Sequence, residues 1–231
     1  MKRTMGSGFS IKAKGRSEAD IYIYEDVGSD FCNGVSAKQF SEDLVAIGSV
    51  SLINLHIASL GGDVNEGLAI YRRLIEHPAR IVTYVDSWAA SIAATIAMAG
   101  DEIRIAEAGA IMIHNAWGMA FGDADAFRAT ADRLDAVTGS LADVFVGRTG
   151  ADLAQVRAWM TAETWFYGQE AVDAGFADSV MPNMRIAAQY RPDMHKFRNA
   201  PASLQATPNR DAMKQRLAQM KAKMQRRAIA A

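Results

Sequence analysis

Cysteine occurs once in 231 residues, at Cys32. A single thiol excludes an internal disulfide framework and agrees with a reducing compartment. Lysine is absent from residue 39 to residue 195. A serine–lysine dyad within that stretch is therefore excluded unless Lys38 or an earlier lysine reaches in. Long hydrophobic runs are missing as well. The most apolar stretch, residues 85–99, is interrupted by Asp86, Ser87, Ser91 and Thr95, and it is shorter than the ~20 residues that span a bilayer. The opening MKRTMGSGFS has no apolar core behind its basic residues, so it does not read as a secretion signal. No close pair of His, Cys or carboxylate residues has the spacing of a zinc site. These absences describe a soluble, cytoplasmic protein with no membrane contact and no metal.

Net charge is missing too: 25 Lys+Arg stand against 26 Asp+Glu, a formal −1. That balance argues against a dedicated nucleic-acid binder, but it hides a split. From Met184 onward there are eleven basic residues and two acids, Asp193 and Asp211, so this end carries +9 and the rest −10. Four of the five prolines (Pro182, Pro192, Pro201 and Pro208) also lie at this end. The chain therefore divides into a polar, flexible arm (1–19), a folded domain (20–182) and a basic, largely disordered tail (183–231). Within the tail, residues 210–227 could form a basic helix with Met213, Leu217, Met220 and Met224 on one face. Contact between the tail and nucleic acid or an acidic partner stays open.

What is present in the middle is a repeated strand–helix pattern. Residues 21–25 (IYIYE), 52–59 (LINLHIAS) and 81–86 (IVTYVD) are β-branched or continuously apolar and read as strands. EIRIA, AIMIH and FADSVM supply three more. Ser36 caps a helix that ends at Gly48, with Phe40, Leu44 and Ile47 on its apolar face. Asp63 and Glu66 open a second helix with Val64, Leu68, Tyr71 and Leu74 inward. SIAATIAMAG is a buried helix closed by Gly100. Strands spaced about 25–30 residues apart imply crossover connections and a largely parallel sheet. Residues 123–148 form one long amphipathic helix, with Phe127, Leu134 and Leu141 recurring every seven positions. Its length favours a helix that projects toward a partner subunit, the alternative being one that lies across its own sheet. Two shorter helices follow, over 151–160 and 168–174.

Three features could carry chemistry. Ser91 lies in W-A-A-S-I-A between a strand and a helix. There the neighbouring N–H groups lack intrahelical partners and could receive an oxyanion. Its competing role is a plain helix N-cap. Gly61-Gly62 follows the LINLHIAS strand and lets backbone N–H groups turn toward a ligand. The competing role is a tight turn. His114 ends the AIMI strand, where open parallel sheets place their ligands, and its competing role is a strand-end surface residue. Among the other histidines, His56 reads as a packed strand residue, His77 as a C-terminal complement to its helix dipole, and His195 falls in the tail. If Ser91 is activated, His114 is the natural base.

In this order and spacing, four segments resemble the ClpP family of serine peptidases, and within it the ClpP-like head-maturation proteases of tailed phages and prophages. IASLGG resembles the family's I-N-S-P-G-G, DSWAASIAA its G-x-A-A-S-M-A nucleophile turn, and IMIHN its M-I-H-Q-P base segment. ETWFYGQEAVDAGFADSV resembles its D-x-F, E-A, G-x-x-D block. The resemblance covers about 160 residues, from Asp20 to Met181. It implies an α/β, ClpP/crotonase-like fold of strand–helix units, in which the long helix is a projecting handle.

The resemblance also implies a serine endopeptidase that needs no cofactor. Ser91 matches the nucleophile, His114 the general base, and the backbone N–H groups of Gly62 and Ile92 the oxyanion donors. Glu163 stands where the family has aspartate, one methylene longer, with Thr164 beside it as a substitute. Ala58, Leu60, Asn115 and Ala116 depart from the family pattern around the substrate groove. The implied partners are a polypeptide substrate, other copies of the chain in stacked rings (a heptamer being the candidate ring), and capsid or scaffold proteins, while docking of an AAA+ unfoldase stays open. The implied setting is the cytoplasm of a bacterial host, with the chain encoded by a phage or prophage. Two alternatives stand beside this reading: an acyl-CoA hydratase or isomerase of the crotonase type, and a non-enzymatic capsid or scaffold component.

Overall fold

The computed structural model describes residues 9–28, 34–182 and 198–199. Residues Met1–Pro192 make one compact unit and Asp193–Ala231 another, of which only Arg198 and Asn199 are described. Cys32, His195, Pro192, Pro201, Pro208 and the methionine-bearing helix expected over 210–227 lie outside the described residues.

The first unit is built on one eight-stranded sheet. Its parallel centre consists of β2 (Glu18–Ile23), β3 (Leu52–Ser59), β4 (Arg80–Ala90), β5 (Glu102–Ala106) and β8 (Ser179–Met181). Burial along β3 is nearly continuous, with Ile53, Leu55 and Ile57 wholly covered, as expected of a parallel strand packed on both faces. Helices α1 (Ala37–Ala46), α2 (Val64–Ile75) and α3 (Ile92–Ala97) make the crossovers. Their starts follow sequence chemistry: Ser36 Oγ accepts the Gln39 N–H, and Asp63 Oδ1 accepts the Asn65 and Glu66 N–H groups. On α2 the inward stripe is Gly67, Ile70 and Leu74, with Val64, Leu68 and Tyr71 half-buried at its side. The stripe expected from spacing is thus rotated by part of a turn.

Two strands run antiparallel to this centre. β1 (Phe9–Lys14) pairs along its whole length with β2, from Phe9↔Ile23 to Lys14↔Glu18. The flexible arm expected over 1–19 is therefore corrected for residues 9–19. Phe9 and Ile11 alternate with Ser10 and Lys12, and both bury their side chains, Phe9 against the Phe40 ring. The second is β7 (Thr164–Tyr167), which pairs with β6 (Ala110–Ile113). β6 in turn pairs in parallel with the last residues of β4.

The long helix is α4 (Ala124–Thr149), 26 residues, or about 39 Å at 1.5 Å per residue. Its buried residues are Thr138, Leu141, Ala142 and Phe145. Phe127, at the other end, is 54% exposed. The helix is fastened to the domain by its C-terminal half, and the other half stands out from it. α5 (Leu153–Ala162) and α6 (Gly168–Asp173) complete the unit. Among the described residues no helix is long and apolar enough to cross a membrane.

Candidate active site

Ser91 occupies the junction of β4 and α3 with φ 58° and ψ −129°. It stands at the N-cap position of α3, yet its side chain makes no capping hydrogen bond. Its Oγ instead lies 2.7 Å from His114 Nε2. A serine recruited only to cap would turn that oxygen to the helix. The backbone conformation is uncommon for any residue with a Cβ and stores strain of order 1–3 kcal/mol. Ser91 and Glu163 are the two non-glycine residues with positive φ among those described.

His114 is delivered by the sheet. β6 lies beside the end of β4 in the register Trp88↔Ala110, Ala89↔Ile111 and Ala90↔Met112. The Ser91 N–H continues that ladder by donating to Met112 O at 2.9 Å. His114 is the first residue beyond β6, so the nucleophile and the imidazole leave adjacent strands at the same end.

The Gly61-Gly62 loop closes on the same turn. A Cβ on Gly61 would sit 2.8 Å from Ser91 Cβ and 3.0 Å from Ile92 N. Only a glycine allows the approach. Gly62 forms a parallel bridge with Val27, in which the Val27 N–H donates to Gly61 O and the Asp63 N–H to Val27 O. In that pattern the bridged residue's own N–H points away from its partner. The Gly62 N–H is thus turned from Val27, at φ 146°, and Gly62 is exposed. Ile92 is the first residue of α3, where an amide has no intrahelical acceptor.

Glu163 is the C-cap of α5, with φ 51°, and is 4% exposed. It directly precedes β7, whose ladder with β6 ends at Ile113↔Thr164. Thr164 itself donates its hydroxyl to Trp159 O at 2.8 Å, which commits that proton elsewhere. Gly62, Ser91, Ile92, His114 and Glu163 therefore converge on one end of the β4–β6–β7 part of the sheet.

The remaining histidines have other roles. His77 accepts the Ala79 N–H on Nδ1 at 3.1 Å. Burial and the neighbouring Arg73 hold its pKa below the ordinary histidine value. It thus acts as a neutral acceptor, which corrects the expected charged complement to the α2 dipole. His56 is packed as expected, but its partners were not legible. Its Nδ1 lies 2.8 Å from Asp86 Oδ2, and Tyr24 OH donates to the same oxygen at 2.5 Å. Sequence spacing pairs none of these three residues, because Tyr24 follows β2 while His56 lies on β3 and Asp86 on β4. Among the described residues no group of three or more His, Cys, Asp or Glu is placed to hold a metal ion.

Comparison with known proteins adds kinship to this geometry. Residues 7–184 match the family model described as Clp protease. The chain is 30% identical over 170 residues to the ATP-dependent Clp protease proteolytic subunit 1 of Leifsonia xyli subsp. xyli, which covers 73% of this chain and 85% of that protein. It is 29% identical over 167 residues to the proteolytic subunit 2 of Mycolicibacterium paratuberculosis, covering 71% and 83%. Among solved structures, a mutant of ClpP1 from Listeria monocytogenes superposes with a TM-score of 0.62 at 20% identity, over 73% of this chain and 92% of that one. That likeness concerns the fold.

Proposed function

The chain belongs to the Clp protease family, and from that premise we propose that it is a serine endopeptidase with Ser91 as nucleophile. The observation that carries the reading is the 2.7 Å contact between Ser91 Oγ and His114 Nε2 at a strained strand-to-helix turn. His114 takes the Ser91 proton as the hydroxyl attacks the peptide carbonyl, then returns it to the leaving amine. The Gly62 and Ile92 N–H groups receive the tetrahedral oxyanion. Glu163 holds the imidazole in one tautomer and stabilises its protonated form. Water then releases the acyl group by the same steps in reverse order.

The finer reading follows the sequence motifs. Their likeness to head-maturation proteases supports phage head or scaffold proteins as substrates and a phage or prophage origin within a bacterial cytoplasm. The outstanding half of α4 supports assembly with further copies of the chain into stacked rings. The relatives are named as subunits of ATP-dependent proteases, which supports testing for an AAA+ unfoldase partner. The basic tail, a separate unit from residue 193, is the natural candidate for removal by the active site or for contact with an acidic partner. The acyl-CoA reading is disfavoured, since that chemistry would share the paired N–H donors but needs no Ser91–His114 contact.

The test is labelling of the purified protein with a fluorophosphonate, together with its intact mass. Wild type is expected to take up one label per chain and to hydrolyse peptides, and Ser91→Ala to do neither. A tail shortened only in the active form would identify a natural cleavage site. Equal activity in the two proteins would remove Ser91 from the mechanism.

A further inference from the structure

Asp86 stands where β4 changes neighbours. Over residues 82–85 the strand pairs with β5, and over 88–90 it pairs with β6. Its other edge is irregular at the same point. The register with β3 runs in step to Ile57↔Val85 and resumes at Ser59↔Ala89. Asp86, Ser87 and Trp88 therefore face the single residue Ala58. This is a bulge with two surplus residues, so the alternation of faces is kept while β4 bends. Two residues, Ala89 and Ala90, separate the bulge from Ser91.

Three strands hold the first residue of that bulge. Asp86 Oδ2 receives Tyr24 OH from the end of β2 and lies 2.8 Å from His56 Nδ1 on β3. A carboxylate only accepts, so Nδ1 carries the proton. The imidazole is clamped between Tyr22 and Tyr84, with ring centroids 4.8 and 4.7 Å away and planes within 12° and 11°. Tyr22, His56 and Tyr84 form one row across the sheet. Cations close both ends of that row: Lys12 Nζ lies 5.3 Å from the Tyr22 centroid, and Arg104 5.5 Å from that of Tyr84. Burial, with the Asp86 hydrogen bond, holds the Tyr24 phenol well above its ordinary pKa, which keeps it a donor. Nothing in the proposed chemistry uses this cluster directly.

We propose that Asp86 is a positioning residue for the nucleophile: by accepting from Tyr24 and His56 it fixes the β4 bulge, and the bulge sets the register in which β4 presents Ser91 to His114. The inference rests on the peptidase reading of that pair. Its logic is mechanical. The Ser91–His114 contact requires β4 to leave β5 and join β6 in the observed register, and loss of the anchor lets residues 86–90 slide or splay. A displacement of about 1 Å at a nucleophile costs on the order of 100-fold in rate without altering substrate affinity.

The test compares wild type with Asp86→Ala, Asp86→Asn and Tyr24→Phe by peptide kinetics and by amide hydrogen exchange over residues 86–92. Asp86→Ala is expected to lower kcat about 10–100-fold with KM within about threefold, and to speed local exchange at least about tenfold. Asp86→Asn keeps an accepting oxygen and should recover about tenfold of the lost kcat. Tyr24→Phe, the milder change should Asp86→Ala fail to fold, should lower kcat about 3–10-fold and add nothing in the Asp86→Ala background. Unchanged kcat, or slowed turnover with no change in exchange over 86–92, overturns the proposal. A wild-type protein that neither hydrolyses peptide nor takes the fluorophosphonate overturns the peptidase reading instead, and the exchange data then judge the anchoring of the bulge alone.

Discussion

Ile113 on β6 and Thr164 on β7 are the last partners of an antiparallel ladder, so that His114 and Glu163 are the first residues beyond it on the two segments. That adjacency makes Glu163 the carboxylate proposed to orient the His114 imidazole. Glu163 itself leaves the extended conformation, at φ 51°, and is buried. Glu163→Gln is expected to lower kcat by about 10³–10⁴-fold. Thr164→Val should change it less than about threefold, because the threonine hydroxyl already serves Trp159 O. Steady-state kinetics on both variants decide which residue completes the triad, and the reverse ranking would hand the role to Thr164.

The Gly61 position tests the oxyanion loop. Gly61→Ala places a methyl group 2.7 Å from Ala90 O and 2.8 Å from Ser91 Cβ, at a residue with φ +85°. The clash and strain together should cost about 1–3 kcal/mol of stability. They should also move the loop off Ile92 and lower kcat by about 10²–10³-fold. Thermal unfolding and peptide turnover measure the two effects separately. An alanine variant with full activity would show that the close approach is unnecessary.

His77 gives a pH dependence with a definite sign. Its folded pKa is depressed by burial and by Arg73, so the unfolded chain binds the proton more readily. The stability tied to the neutral ring is present above the unfolded value of about 6.5 and is lost as pH falls toward the folded value. His77→Asn keeps an acceptor for the Ala79 N–H and cannot be protonated. Urea midpoints at pH 7.5 and 5 should fall less in the variant than in wild type.

Asp178 should act in the acid range. Burial pushes its carboxyl up, but the Ile103 N–H and the Arg148 guanidinium, each 2.7 Å from Oδ2, outweigh it and hold the pKa below the ordinary value. Its contribution is therefore present above about pH 3.9 and is lost as pH falls through the folded pKa. The side chain is 47% exposed, so screening keeps the effect near or below about 1 kcal/mol. Asp178→Asn should be less stable than wild type at pH 7 and nearly equal to it at pH 2.5, as read from urea unfolding.

Much of the fold was legible because its elements carry strong local chemistry. The span LINLHIAS matches β3, and Ser36, Asp63 and Asp123 start helices through their own side-chain hydrogen bonds. β1 and β7 were not read as strands. FSIKAK alternates over too few apolar residues to stand out, and TWFY is four residues long. Each is a strand because a neighbour pairs with it, which is a tertiary fact. The same division runs through the site. Ser91, His114 and the glycine pair could be named from residue type and position. Whether Ser91 capped a helix or faced a base depended on one backbone conformation and one contact. The Tyr24–Asp86–His56 set lay beyond sequence reasoning, because its members meet only through strand register.

Helix α4 is continuous by backbone and divided by burial. From Thr138 onward it is seated against the domain. Before that, its covered side is a stripe of half-buried residues (Ala126, Thr130, Leu134 and Val137). One element therefore spans two levels of local stability. In an isolated subunit the first half should open with little cost and exchange its amide hydrogens early, while the second exchanges only with the core. Any partner that covers the first half would show itself by protecting those amides, with no change in the coordinates of the helix.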